Sequence, residues 1–161
     1  MKHFRAPAIL IGALSVAVVV ATSATAHTAA FSATYTGTAT EKVNGQIVSA
    51  TAKGKGLATV IGRSTMVGTV TATTANPPCS PFKGPGVITA KAGKLKVNVL
   101  PTSRGCAAGE DDQDNISLNG TVKVTGGTGK YRAAKGTWRF TGHYNRANGS
   151  FSVKLRGTLT F

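Results

Sequence analysis

Residues 151–161, FSVKLRGTLTF, alternate without a break: Phe151, Val153, Leu155, Gly157, Leu159 and Phe161 against Ser152, Lys154, Arg156, Thr158 and Thr160. Successive side chains of a strand point to opposite faces, so a period of two with one apolar side marks a strand half in a core and half in water. The pattern recurs in Ile116, Leu118, Gly120, Val122 and Val124 against Ser117, Asn119, Thr121, Lys123 and Thr125. It recurs again in Leu95, Val97 and Val99 against Lys94, Lys96 and Asn98, and in Phe31, Ala33, Tyr35 and Gly37 against Ser32, Thr34, Thr36 and Thr38. Further strands are predicted around 47–60, 64–74, 86–91 and 136–143.

Beyond residue 26 no stretch sustains the three-and-four spacing of an amphipathic helix, and threonine crowds the strands, as suits a pleated surface. The fold class is therefore all-β. Turn chemistry falls at Asn44-Gly45, Lys83-Gly84-Pro85-Gly86, Gly126-Gly127-Thr128-Gly129 and Asn148-Gly149. About eight short antiparallel strands in one domain must hide their edges in two packed sheets or a closed barrel. A single antiparallel barrel is the preferred architecture.

The first 26 residues read as an export signal. Lys2, His3 and Arg5 precede the uncharged run APAILIGALSVAVVVA (6–21), and Ala24-Thr25-Ala26 supplies a small-x-small cleavage pattern. The apolar run falls short of the roughly 20 residues that span a bilayer as a helix. The expected organisation is a signal peptide over 1–26 and a β-barrel domain over 27–161, secreted and without a transmembrane segment once the signal is cleaved. With 161 residues, 41% of them hydrophobic, the chain suits one domain and is too apolar for a disordered tail. Its 19 Lys+Arg face 5 Asp+Glu; losing Lys2 and Arg5 with the signal leaves 17 against 5, a net charge of +12.

Two cysteines cannot build a disulfide-dense miniprotein or a four-cysteine zinc site. In an oxidising compartment Cys79 and Cys106, in the loop-like contexts NPPCSP and SRGCAAG, are most simply one disulfide stapling two loops.

The segment VTGGTGKYRAAKGTWRFTG (124–142) resembles the Gly-Gly-Thr-Gly, aromatic, Ala, Gly hairpin of the allene oxide cyclase-like barrels, which include the plant dirigent proteins and many exported bacterial proteins. The following strand, SFSVKLRGTLTF, is also similar. The resemblance covers about forty residues well and the rest as a strand pattern, and its glycine motif speaks for architecture rather than activity. It implies positive φ at Gly126, Gly127 and Gly129 and a Tyr131 that plugs a barrel end. No local motif here matches the family's catalytic residues, so cyclase or dirigent-like chemistry is only an alternative.

No catalytic constellation and no cofactor motif is visible. The inward faces carry Phe, Tyr, Val, Leu, Gly, Met and Trp, with Tyr35 the one clear hydroxyl-bearing aromatic. Glu41 falls in a predicted turn, and Glu110, Asp111, Asp112 and Asp114 cluster in the loop after Cys106. Asp112 and Asp114 have the alternate spacing of a weak calcium site, but Ile116 occupies the next position and no turn glycine follows, so a solvated acidic loop is the simpler reading. In GGTGKY, Val124 and Tyr131 stand where a phosphate-binding loop needs glycine and Ser or Thr.

Two function classes stay open. A barrel of about eight strands can hold one small apolar molecule, here among Tyr35, Met66, Trp138 and Phe151, or it can simply be full of its own side chains. Alternatively, Lys94, Lys96, Lys123, Arg139, Lys154 and Arg156 lie on the polar faces of strands. If those strands are neighbours they form a basic surface for an anionic envelope polymer. Specific nucleic-acid binding would want aromatics among these cations, and the aromatics lie on the apolar faces. Oligomeric state is not encoded in any pattern found.

Overall fold

A computed structural model of the chain describes residues 26–73, 78–109 and 111–161. The predicted signal peptide, apart from Ala26, and Glu110 lie outside the described residues. Eight strands follow one another: β1 (Thr28–Asn44), β2 (Ile47–Ala58), β3 (Gly62–Thr73), β4 (Cys79–Ala90), β5 (Gly93–Ala107), β6 (Asn115–Gly127), β7 (Lys135–Asn145) and β8 (Ser150–Thr160). A single 3-10 turn, Gly129–Tyr131, separates β6 from β7. Each strand pairs antiparallel with the next, and β8 returns to β1, with Phe31 opposite Gly157 and Tyr35 opposite Val153. The sheet closes into an eight-stranded barrel without an edge.

The alternation seen in the sequence becomes inside and outside. Phe31, Tyr35, Leu95, Trp138, Leu155 and Leu159 are buried, while Thr34, Thr36, Lys96, Arg139 and Arg156 between them are exposed. The outer wall is mostly threonine and lysine, with Leu57, Val67 and Val87 as exposed apolar positions on β2, β3 and β4. Among the described residues no helix is long and apolar enough to cross a membrane.

Several local expectations change. Lys83-Gly84-Pro85-Gly86 is the interior of β4, not a turn. Pro85 lacks an N–H, and the β3–β4 ladder is interrupted there, running from Gly68–Gly86 to Thr71–Lys83, so no donor is missed on that side. β5 does not stop at Val99. The β5–β6 register shifts between Val99 and Arg104 around Pro101, and the strand then continues to Ala107. Across the shift Ser103 keeps the inward parity of Leu95, Val97 and Val99 and is fully buried, and its Oγ accepts the Thr121 N–H at 3.3 Å in space that Gly120 leaves empty.

The disulfide joins Cys79 and Cys106 as expected. Its setting differs, because the two residues are direct partners on β4 and β5 rather than members of two loops. Glycines at 45, 126, 129 and 149 take positive φ, but Gly127 does not. A Cβ on Gly127 would collide with the Lys94 carbonyl, so close approach rather than turn conformation requires glycine there.

Candidate functional site

Inward residues are distributed unevenly along the barrel axis. Toward the end where β1 begins they are large. Trp138 stacks on Phe31 with ring centroids 4.0 Å apart, and Gly157 gives the indole its slot, since a Cβ there would stand 2.8 Å from Trp138 Cδ1. Tyr131 is buried and meets Phe161 edge-on at 5.5 Å, so it does plug this end. Tyr35 is fully buried, its hydroxyl 2.7 Å from Ser64 Oγ; burial pushes its pKa up, against the lowering effect of that hydrogen bond.

Toward the other end β1, β2 and β3 contribute the small inward residues Gly37, Ala39, Ala50, Ala52, Gly68 and Ala72, and packing fails to fill the barrel. The result is a cavity of about 420 Å3, walled by side chains from all eight strands. That volume lies within the roughly 300 to 1,000 Å3 of small-molecule pockets. Met66, Ile88, Val97, Phe140, Phe151 and Leu155 give it an apolar wall.

The four pocket candidates therefore divide. Met66 and Phe151 line the cavity. Tyr35 and Trp138 do not; they belong to the packed half, because their rings are consumed by Ser64 and Phe31 respectively. The alternative of a full or a hollow barrel resolves as one of each, end to end.

Polar groups gather at the open end. Glu41 is not in a turn: it is on β1, on the inward side, and lines the cavity mouth with Tyr144, Arg146, Gln113 and Ser80. Arg146 Nε lies 3.4 Å from Glu41 Oε2, and its Nη1 donates to the Gln113 carbonyl at 3.2 Å. The Arg146 N–H also donates to Asp114 O at 2.9 Å, so one arginine ties the β7–β8 turn, the loop after β5 and β1 together around the mouth. Burial, the negative charge of Glu41 and a hydrogen bond to it raise the Tyr144 pKa, with Arg146 opposing. Sequence reading missed this group because Glu41 and Arg146 lie far apart in the chain; the inward parity of Glu41 with Tyr35 and Ala39 was the available signal.

Asp112 and Asp114 do not converge on a cation. Both Asp112 carboxylate oxygens accept from Asn115 Nδ2, at 3.0 and 2.9 Å, and Oδ1 also takes the Asn115 N–H, which makes Asp112 the closure of its own loop. Among the described residues no group of His, Cys, Asp and Glu is placed to hold a metal.

The six cations are all exposed, and β5, β6, β7 and β8, which carry them, are consecutive neighbours. The condition for a continuous basic surface is met. Arg139 stands directly opposite Arg156, an arrangement of like charges that costs stability unless something anionic covers it. No outward strand position among the described residues carries a carboxylate. Comparison with protein-family profiles, with curated proteins and with solved structures returned no match to this chain.

Proposed function

We propose that the protein is a secreted, non-catalytic carrier that holds a small apolar molecule in the open half of its barrel. The observation that carries this reading is the 420 Å3 cavity, apolar along its wall and polar at its mouth, in a barrel whose other end is filled by Phe31, Tyr35, Tyr131 and Trp138. A void of that size forgoes dispersion contacts for the side chains that line it, and an apolar guest restores them. Export fits the disulfide and the signal-like start of the sequence. Kinship with the allene oxide cyclase-like barrels is proposed on the resemblance of the 124–142 hairpin alone.

Nile red, an uncharged dye that brightens in apolar surroundings, tests the reading. Saturable brightening is expected with the wild type, together with its loss in Ala52→Phe and Ala50→Phe, whose new rings enter the cavity. Their melting temperatures should match or exceed that of the wild type, because the rings add contacts in empty space. Wild-type protein that leaves the dye dark, or filled variants that bind it as well, would remove the cavity from consideration.

A second reading is favoured by the opposed Arg139 and Arg156: the β5–β8 face adsorbs to anionic envelope polymers. Among the described residues none of the six cations has an ion-pair partner, the pair shown being Glu41–Arg146. Reversing Lys154 and Arg156 to Glu should weaken retention on a polyanion column at low salt and leave the fold intact, since both side chains are exposed. Counterion release predicts that wild-type retention falls steeply with salt, for a duplex polyanion with a slope of log affinity against log salt of about 0.9 per neutralised phosphate. Retention that ignores the double reversal would place the contact elsewhere on the molecule.

A further inference from the structure

The chemistry of the mouth selects among apolar guests, and this inference rests on the carrier reading above. Among the described residues the cation lining the cavity is Arg146: its charge is balanced by Glu41 at 3.4 Å, its Nη1 donates to the Gln113 carbonyl, and its side chain is 41% exposed to solvent. The other polar groups there include a carboxylate and hydroxyls, all of which can accept a hydrogen bond. Glu41 is a half-buried carboxylate, and the Tyr144 and Ser80 hydroxyls, whose oxygens can accept, also line the cavity. The described acids not lining the cavity, Asp111, Asp112 and Asp114, sit in the loop after β5 at this same end.

A guest with a carboxylate head would bring a second negative charge beside Glu41 in a partly desolvated site, where the repulsion is poorly screened. A guest with a hydroxyl or ammonium head would satisfy acceptors that are otherwise left to water. We propose that the Glu41–Tyr144–Arg146 rim is a head-group site and that the ligand is an amphiphile whose polar end donates a hydrogen bond, an alcohol or an alkylamine rather than a carboxylic acid. The apolar chain lies in the cavity beside Met66 and Phe151, and the head remains at the mouth.

Displacement of Nile red by decanol, decylamine and decanoate, which share a chain and differ at the head, tests this. The measurement is made at about 0.15 M salt, where the attraction of the basic outer wall for any anion is screened beyond about 8 Å. Decanol and decylamine should each displace the dye at least about tenfold more effectively than decanoate, the discrimination a hydrogen bond to a charged group supplies. Glu41→Gln should reverse the order of the charged pair, weakening decylamine and strengthening decanoate, because it leaves Arg146 without its counter-charge. A structural role for Glu41 would instead weaken all three alike. Tyr144→Phe, which keeps the ring, should weaken decanol and leave decanoate unchanged, and it carries the test if Glu41→Gln does not fold. Equal displacement by all three, decanoate binding tightest, or no displacement of bound dye by any of them would overturn the proposal. Failure of the dye itself to bind would instead overturn the carrier reading.

Discussion

Replacing Trp138 by alanine is expected to destabilise the barrel by about 3 to 5 kcal/mol, the usual cost of truncating a large buried aromatic. The indole is fully buried, lies flat on Phe31 with the ring planes 9° apart, and donates from Nε1 to the Thr158 carbonyl at 2.9 Å. Truncation removes all three contributions at once and opens a hole that the rigid closed sheet cannot collapse to fill. In thermal unfolding the midpoint should fall by on the order of 10 °C or more. Trp138→Phe, which keeps most of the stack and loses the hydrogen bond, should fall in between. Because Trp138 does not line the cavity, Trp138→Ala should still bind Nile red at temperatures where it is folded. A variant that melts with the wild type would show that the packed half is not what holds the barrel together.

The second large effect belongs to the disulfide. Cys79 and Cys106 are 27 positions apart, and on the chain-entropy argument closing such a loop stabilises by roughly 3 to 4 kcal/mol. The double variant Cys79→Ala/Cys106→Ala should lose about that much in chemical denaturation, with the loss appearing in the midpoint. The bond pins β4 to β5 at the open end, beside Pro78 and Ala107 of the cavity mouth, where packing contributes least. Dye affinity should therefore fall in this variant as well, in contrast to Trp138→Ala. Thiol titration of denatured, unreduced protein should detect no free cysteine; two thiols, or a double variant as stable as the wild type, would contradict the assignment.

The strands were legible in the sequence because a side chain's face follows from its parity, a local property: FSVKLRGTLTF needs no partner to show which residues point inward. Eight such segments with turn residues between them, and no helical stretch beyond residue 26, already required a closed or doubled sheet. The cysteines could be paired for the arithmetical reason that there are only two. Local reading failed where tertiary pairing overrode residue preference. Pro85 and Pro101 look like strand breakers, yet each sits where a ladder is interrupted and needs no donor. Whether the interior is full or hollow depends on which inward residues share a level of the barrel, and that is set by register between strands, not by any one strand. Register stacks Phe31, Tyr35 and Trp138 into one solid half and leaves Ala39, Ala50 and Ala52 facing an empty one. It also carries Glu41 of β1 to Arg146 after β7, so the polar mouth exists only once β8 has closed against β1.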